Sequence, residues 1–303
     1  MLDYPSLFAL AAVVREGSFE RAARALHVTP SAVSQRVRLL EERVGCALVV
    51  RGQPCVPTEA GRRLCQHADQ VRLLEGELRE ALPAATPVDD PTGARRVTLP
   101  VAVNADSLAT WFLPAVTAFA ASAPVLVQLA VDDEGHTADW LRQGTVLAAV
   151  TAQAQPAAGC SSRALGAMRY IAAASPAFVA RHFADGVSAA RLAAAPSLVF
   201  NAKDSLQQRW VQRTVGAPVP LPGHTLPSSH AFVAASLAGM GWALHPLALV
   251  EPHLARGELV ALLPGTPLDV PLYWHQARLA STGLRALSDA VARAAAAGLV
   301  AVP

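Results

Sequence analysis

At 303 residues the chain has room for two or three folding units, which excludes a single small module. Its 25 basic and 23 acidic residues leave a formal charge of +2, so it is no polycation that coats nucleic acid, and any basic patch must be local. Apolar residues make up 52% of it, yet no run of about eighteen is uninterrupted and the N-terminal segment is not built like a signal peptide. Cys46, Cys55, Cys65 and Cys160 show neither CxxC spacing nor a secreted framework. A soluble protein of the reducing cytoplasm, away from membranes, is expected.

Leu7, Leu10, Ala11 and Val14 repeat at helical spacing and predict a first helix ending before Gly17. Ser18 can cap a second helix, whose face is Phe19, Ala22, Ala23 and Leu26. His27 and Val28 interrupt that run, and Thr29 as cap with Pro30 in the first turn opens a third helix. On a helical wheel Val33, Val37, Leu40 and Val44 form a seam that can pack on the second helix. Ser31, Ser34, Gln35 and Arg38 share the opposite face, and such short or planar groups reach base edges and phosphates. Arg36, on the flank, suits a phosphate or an intramolecular carboxylate. The wheel alone leaves two readings open: a DNA-reading helix-turn-helix, or an amphipathic hairpin with a solvated face.

Ala47 to Arg51 and the segment around Cys55 to Pro57, separated by Gly52, Gln53 and Pro54, read as a hairpin wing. Thr58 and Glu59 start a long helix in which Leu64, Ala68, Val71, Leu74, Leu78 and Leu82 recur at spacings of three or four. So small a domain offers no surface for so long a seam. It belongs in an antiparallel dimer or, alternatively, on the second domain of the same chain. The stretch ALPAATPVDDPTG, Ala81 to Gly93, marks a hinge.

Beyond Arg96, β-prone and helical runs alternate: Val97 to Val103, a helix near Leu108 to Ala121, Val125 to Val131, a helix near Ala138 to Gln143, then Val146 to Thr151. This βαβαβ order implies a parallel sheet with helices on both faces. A second series has strands at Tyr170 to Ala174, Ser197 to Phe200 and Gly241 to Pro246, and helices near Pro176 to Phe183, Ser205 to Val215 and His230 to Ala238. Leu272 to Gln276 and a helix from Thr282 to Ala297 close the chain.

The run AARALHVTPSAVSQRVRLLEERVG, followed by ALVVR, a Pro-rich turn and PTEAGRRL, resembles the N-terminal domain of the LysR-type transcriptional regulators. LDYPSLFALAAVVREGSFERAA and VNADSLATWFLP are similar to the subgroup that answers lysine and arginine and controls basic amino-acid export. The resemblance implies an α/β architecture: a winged helix-turn-helix (1–58), a linker helix and hinge (59–93), and an effector domain (94–303) like a type-II periplasmic binding protein. In that domain, subdomain I would take about 94–166 and 271–303, and subdomain II about 167–270, with crossings near Leu165 to Arg169 and Pro267 to Leu272. It further implies that Pro30, Ser31, Ser34, Gln35 and Arg38 read DNA, with Arg51 at the wing tip on the backbone or minor groove.

Ligands of such folds sit between the halves, near strand ends and helix N-termini. Asn104, Asp106 and Ser107 after the first strand, and Thr151 after the third, fall there, although an Asx turn or helix cap would use the same residue types. Ser228, Ser229 and His230 open a helix whose N-terminus suits a carboxylate. Asp132, Asp133 and Glu134 are the acids available to a cationic side chain. Implied partners are promoter DNA, lysine or arginine, a second copy in a homodimer, a homotetramer through effector domains, and RNA polymerase as a further contact.

No HExxH, GxSxG or GxGxxG motif precedes a helix, and Cys160 has no neighbouring cysteine. Neither an enzyme nor a metal or cofactor is therefore expected. Three alternatives stay in view: a regulator answering another metabolite, a redox sensor of the same family, and, from another class, a solute receptor or enzyme of the same fold.

Overall fold

The computed structural model describes residues 3–81, 98–123, 125–132, 137–142, 145–279 and 281–301. It opens with α1 (Tyr4–Glu16), α2 (Phe19–Ala25) and α3 (Pro30–Val44). The capping chemistry is local. Ser18 accepts from the Arg21 N–H and Thr29 from the Ala32 N–H, while Gly17 and Gly45 end α1 and α3 in the left-handed conformation. His27 takes φ 53° in the turn between α2 and α3. Val33, Val37 and Leu40 face inward against Leu10, Val13, Ala22 and Ala23. Val44, expected in that seam, is 39% exposed, because the last turn of the long α3 runs past the three-helix core.

β1 (Val49–Val50) and β2 (Val56–Pro57) pair antiparallel as the wing, with Leu48, Val49 and Cys55 buried in the small core. α4 (Glu59–Ala81) starts hard against it. Thr58 Oγ donates to the Ala47 carbonyl and accepts from the Gly61 N–H, and a Cβ at Gly61 would stand 1.9 Å from the Leu48 carbonyl oxygen. The expected seam of α4 is divided. Ala68 is buried against Leu7 and Ala11 of α1, and Leu73, which was not among the expected seam residues, enters the core of the C-terminal half. Leu74 and Leu78 remain exposed, while Leu82 and the hinge up to Gly93 lie outside the described residues.

The C-terminal part begins with β3 (Thr98–Asn104), the short α5 (Ala105–Ser107), a π turn (Leu108–Phe112) and α6 (Leu113–Ser122). β4 (Leu126–Asp132), α7 (Thr137–Arg142) and β5 (Ala148–Thr151) complete the predicted βαβαβ unit. β3 pairs parallel with both β4 and β5. β6 (Cys160–Ala174) then starts about ten residues before the expected strand. Its first half, with exposed Ser162, Arg163 and Ala164, lacks the apolar run that marks a buried strand.

Next come α8 (Pro176–His182), α9 (Ala189–Ala194), β7 (Ser197–Val199), α10 (Leu206–Val215), β8 (Gly223–Thr225) and α11 (Ser229–Leu237). β9 (Ala243–Pro246), α12 (Leu247–Ala255), β10 (Val260–Ala261), β11 (Leu268–Ala277) and α13 (Thr282–Gly298) follow. β11 runs antiparallel between β5 and β6, and the far end of β6 takes β9 and β10. β7 pairs with β8 and bridges to Trp242. Two α/β halves thus share the long strands β6 and β11. Trp210, Trp242, Trp274, Phe112 and Phe119 fill their common core, each essentially without exposed surface. Among the described residues no helix is long and apolar enough to cross a membrane.

Candidate functional site

Two surfaces carry the expected chemistry. On α3, Pro30, Ser31, Gln35 and Arg38 are exposed and Ser34 half-exposed, opposite the buried Val33, Val37 and Leu40. Ser31 shares a 3.0 Å hydroxyl contact with Thr29, and Arg38 is held by Glu42 one turn on at 2.9 Å. Arg36 faces the other way, toward α1. The bonds from Ser6 hold the Asp3 carboxyl below its ordinary range, and Arg43 and Arg36 add to this. Arg51 lies just past β1 with its guanidinium 5.4 Å from the centre of the Phe19 ring, which ties the wing to α2.

The second surface is a narrow cleft between the halves, open to solvent at its mouth. One wall is the carboxyl end of the parallel sheet. Asn104 ends β3 and stands in register with Asp132 at the end of β4, with Ala105 and Asp106 next along the chain. The other wall is Phe200, Asp204, Leu206 and Gln207 around the start of α10, Ser229 and Phe232 on α11, and Leu244 on β9.

Three polar atoms here are buried without a hydrogen-bond partner among the described residues: Asn104 Oδ1, Gln207 Oε1 and Ser229 Oγ. Local structure explains why each is unspent. Asn104 occupies a helix N-cap position, yet its side chain makes no cap bond. Gln207 Nε2 donates to the Leu198 carbonyl at 2.6 Å, which leaves the amide oxygen over. Ser228, not Ser229, caps α11 by accepting from the Ala231 N–H, so the second hydroxyl remains for another partner. Buried polar atoms left unpaired cost about 1–3 kcal/mol each, and three around one cleft point to a ligand that pairs them.

The wall is rich in acceptors. Asp106 Oδ2 accepts from the buried Tyr170 hydroxyl at 2.8 Å, and Asp132 Oδ2 from Trp140 Nε1 at 3.0 Å. Asp204 accepts from the backbone N–H groups of Phe200 and Leu206 and so fixes the turn before α10. Tyr170 sits on β6 next to Arg169, whose guanidinium grips Asp269 of β11 with two 2.8 Å bonds. That grip holds the Asp269 carboxyl below its ordinary range.

Of the residues expected at the ligand, the structure brings Asn104, Asp106, Asp132 and Ser229 together. Ser107 and Thr151 are fully buried and do not line the cleft. Ser107 Oγ accepts from Trp111 Nε1 at 3.1 Å across the π turn, and Thr151 Oγ1 accepts from the Gln153 N–H at 3.2 Å. Asp133 and Glu134 lie outside the described residues. Phe200, Asp204, Gln207 and Phe232 were not anticipated. Gln207 did leave a signal, as a polar residue on the buried face that α10 forms with Leu206, Trp210 and Val211.

Among the described residues no group of three or more His, Cys, Asp or Glu is arranged for a metal. All four cysteines are free thiols. Burial pushes the Cys160 thiol up, against a smaller pull from Arg278, and pushes Cys65 up to about 12.

Residues 6–62 match the bacterial regulatory helix-turn-helix protein, lysR family, and residues 92–296 the LysR substrate binding domain. The chain is 48% identical over 302 residues to the HTH-type transcriptional regulator ArgP of Pseudomonas aeruginosa, covering 100% of this chain and 99% of that one. The crystal structure of ArgP from Mycobacterium tuberculosis superposes with a TM-score of 0.87 at 42% identity, covering all of both chains. Full-length LysG of Corynebacterium glutamicum with bound effector arginine gives 0.77 at 40% identity, over 99% of this chain and 100% of that one.

Proposed function

Because the chain belongs to the LysR family of DNA-binding transcriptional regulators, we propose that it is a cytoplasmic regulator whose hold on an operator is set by a basic amino acid, lysine or arginine. Its target would be a gene for basic amino-acid export. One observation carries the effector: a cleft between two α/β halves lined by three unpaired buried polar atoms and three carboxylates. Such a surface accepts far more hydrogen bonds than it donates, so it asks for a ligand rich in N–H groups. An ammonium or guanidinium brought into it is paired rather than stranded. The Ser229 hydroxyl at the N-terminal end of α11 supplies the complementary place for an α-carboxylate. Asn104 and Gln207 then receive the α-amino group, with Asp106 and Asp132 toward the distal cation.

On DNA, Pro30, Ser31, Ser34 and Gln35 would meet base edges, with Arg38 and Arg51 on the backbone. Arg38 would exchange Glu42 for phosphate. The exposed Leu74 and Leu78 fit an antiparallel dimer through α4, and tetramers through effector domains complete the assembly. Differential affinity of the ligand for two arrangements of the halves would shift how the reading heads sit on DNA. The reading is of a binder, not a catalyst. The relatives it matches are named as transcriptional regulators.

Calorimetry on the full chain with L-arginine and L-lysine, run beside gel shifts on the DNA upstream of its neighbouring gene, tests it. Saturable heat with either basic amino acid and a ligand-dependent shift are expected. Binding of an anionic or aromatic metabolite in their place would overturn the effector assignment.

A further inference from the structure

Asp132 already has a cation within reach. Lys203 Nζ lies 4.0 Å from Asp132 Oδ1, and the two residues stand on opposite sides of the cleft: Asp132 ends β4, whereas Lys203 follows β7 in the other half. Lys203 is the only lysine among the 303 residues. Its turn is firmly built. Asn201 Oδ1 accepts from the N–H groups of Lys203 and Asp204 at 2.7 and 3.2 Å, and the Asp204 carboxylate pins the turn at Phe200 and Leu206. The backbone is therefore fixed and only the four-carbon stem is free to swing. Asp132 is fixed as well, by Trp140 and by its place beside Asn104. The side chains are 53% and 23% exposed, so the ammonium sits at the mouth and the carboxylate faces inward.

We propose that Lys203 is a tethered competitor of the effector: it occupies the carboxylate that the distal cation of a bound amino acid takes over, so that binding exchanges one ion pair on Asp132 for another. This rests on the reading of the cleft as a basic amino-acid site and deepens it in two respects. An amino acid of the right length without a distal charge cannot take over Asp132, so it is rejected for want of a cation rather than for its shape. A tethered group also acts at an effective concentration in the millimolar range, which raises the level of free ligand needed for a response. Because the pair bridges the halves, its release also frees them to rearrange around the ligand.

The size of the effect follows from the exposure. A loose pair at a cleft mouth is closed about half to five-sixths of the time, so removing it tightens ligand binding roughly two- to sixfold. Removing the displaced ammonium's repulsion of the ligand extends this to about tenfold. The test is calorimetry of the full chain with L-arginine, comparing wild type, Lys203→Met and Lys203→Arg. Lys203→Met should bind about two- to tenfold tighter and Lys203→Arg close to wild type. If wild type binds arginine and Lys203→Met binds it equally, Lys203 is a bystander and the inference alone falls. Weaker binding by Lys203→Met also overturns it, since Lys203 would then hold the ligand's carboxylate. If wild type binds neither arginine nor lysine, the reading of the cleft fails and takes this inference with it.

Discussion

Replacing Glu77 by alanine should separate ligand binding from its effect on DNA. Glu77 lies on α4, and its Oε1 accepts from the Ser281 hydroxyl at 2.6 Å and from the Gly283 N–H at 2.9 Å, at the opening of α13 about two hundred residues away in the chain. It is a carboxylate capping a helix N-terminus from outside. Burial alone would raise its pKa, but the bonds from Ser281, Gly283 and Thr282, aided by Arg285, outweigh it and hold the value below 4.5. Hydrogen bonds to a charged group contribute about 1.5–3 kcal/mol, and water reaching this half-exposed site brings the two together to about 1–2 kcal/mol. That weakens the hold of α4 on the effector domain roughly five- to thirtyfold, although Leu73 stays buried. The assay pairs arginine calorimetry with the arginine-dependent change in an operator footprint. Ligand affinity should stay within about twofold, since neither Glu77 nor its partners line the cleft, while the footprint change shrinks. A full footprint response in Glu77→Ala would refute the idea that this contact carries the signal. Its pH dependence follows from the sign of the shift. A lowered carboxylate stabilises the clamp above about pH 4.5 and loses that contribution as pH falls through the folded value, so between pH 6 and 8 the clamp should be constant.

Gln35→Ala should cost roughly 1–3 kcal/mol on the preferred operator and relax discrimination at one base position; a selectivity panel unchanged from wild type would reject the recognition face. Arg51→Ala should weaken all sequences alike and flatten the salt dependence by about one unit of slope. Leu74→Glu combined with Leu78→Glu, at two exposed apolar positions of α4, should give monomers in sedimentation and lose the full operator while leaving the C-terminal part folded. A variant still dimeric at micromolar concentration would place the interface elsewhere. Trp210→Ala removes a ring with no exposed surface, tilted against Trp242 and bonded to the Thr266 carbonyl at 2.9 Å, and should destabilise the fold by about 3–5 kcal/mol in denaturant titration.

The N-terminal elements were legible because their signals are local. Ser18, Thr29, Pro30, Gly17 and Gly45 act on backbone groups within a turn of themselves, and the structure uses each as its chemistry suggests. Val44 failed for the opposite reason: whether a seam residue is covered depends on how far the neighbouring helices extend. In the cleft, Asn104 and Asp132 could be found because both close a parallel strand and so arrive at one edge. Ser107 and Thr151 have the same sequence credentials, but Trp111 and Gln153 claim their hydroxyls first. Gln207 and Phe200 reach the site only through the packing of the second half, which no spacing in the chain encodes. The first half of β6 was hidden because a strand crossing between halves carries mixed side chains rather than one apolar face.

The pairing of β6 with β11 governs what kind of motion the halves can make. The two strands stay hydrogen-bonded through ten residue pairs across the boundary, so the joint is a ribbon, not a pair of loose loops. Such a two-stranded ribbon carries the right-handed twist of paired strands. Its ladder slips between Leu272 and Tyr273, opposite Gly166 at φ 135°. Next to that point Ala167 exchanges both backbone bonds with Val300, which ties the end of the chain after α13 to the ribbon. A closure of the halves about this ribbon would turn α13 and, through Glu77, the helix that leads to the DNA-reading head.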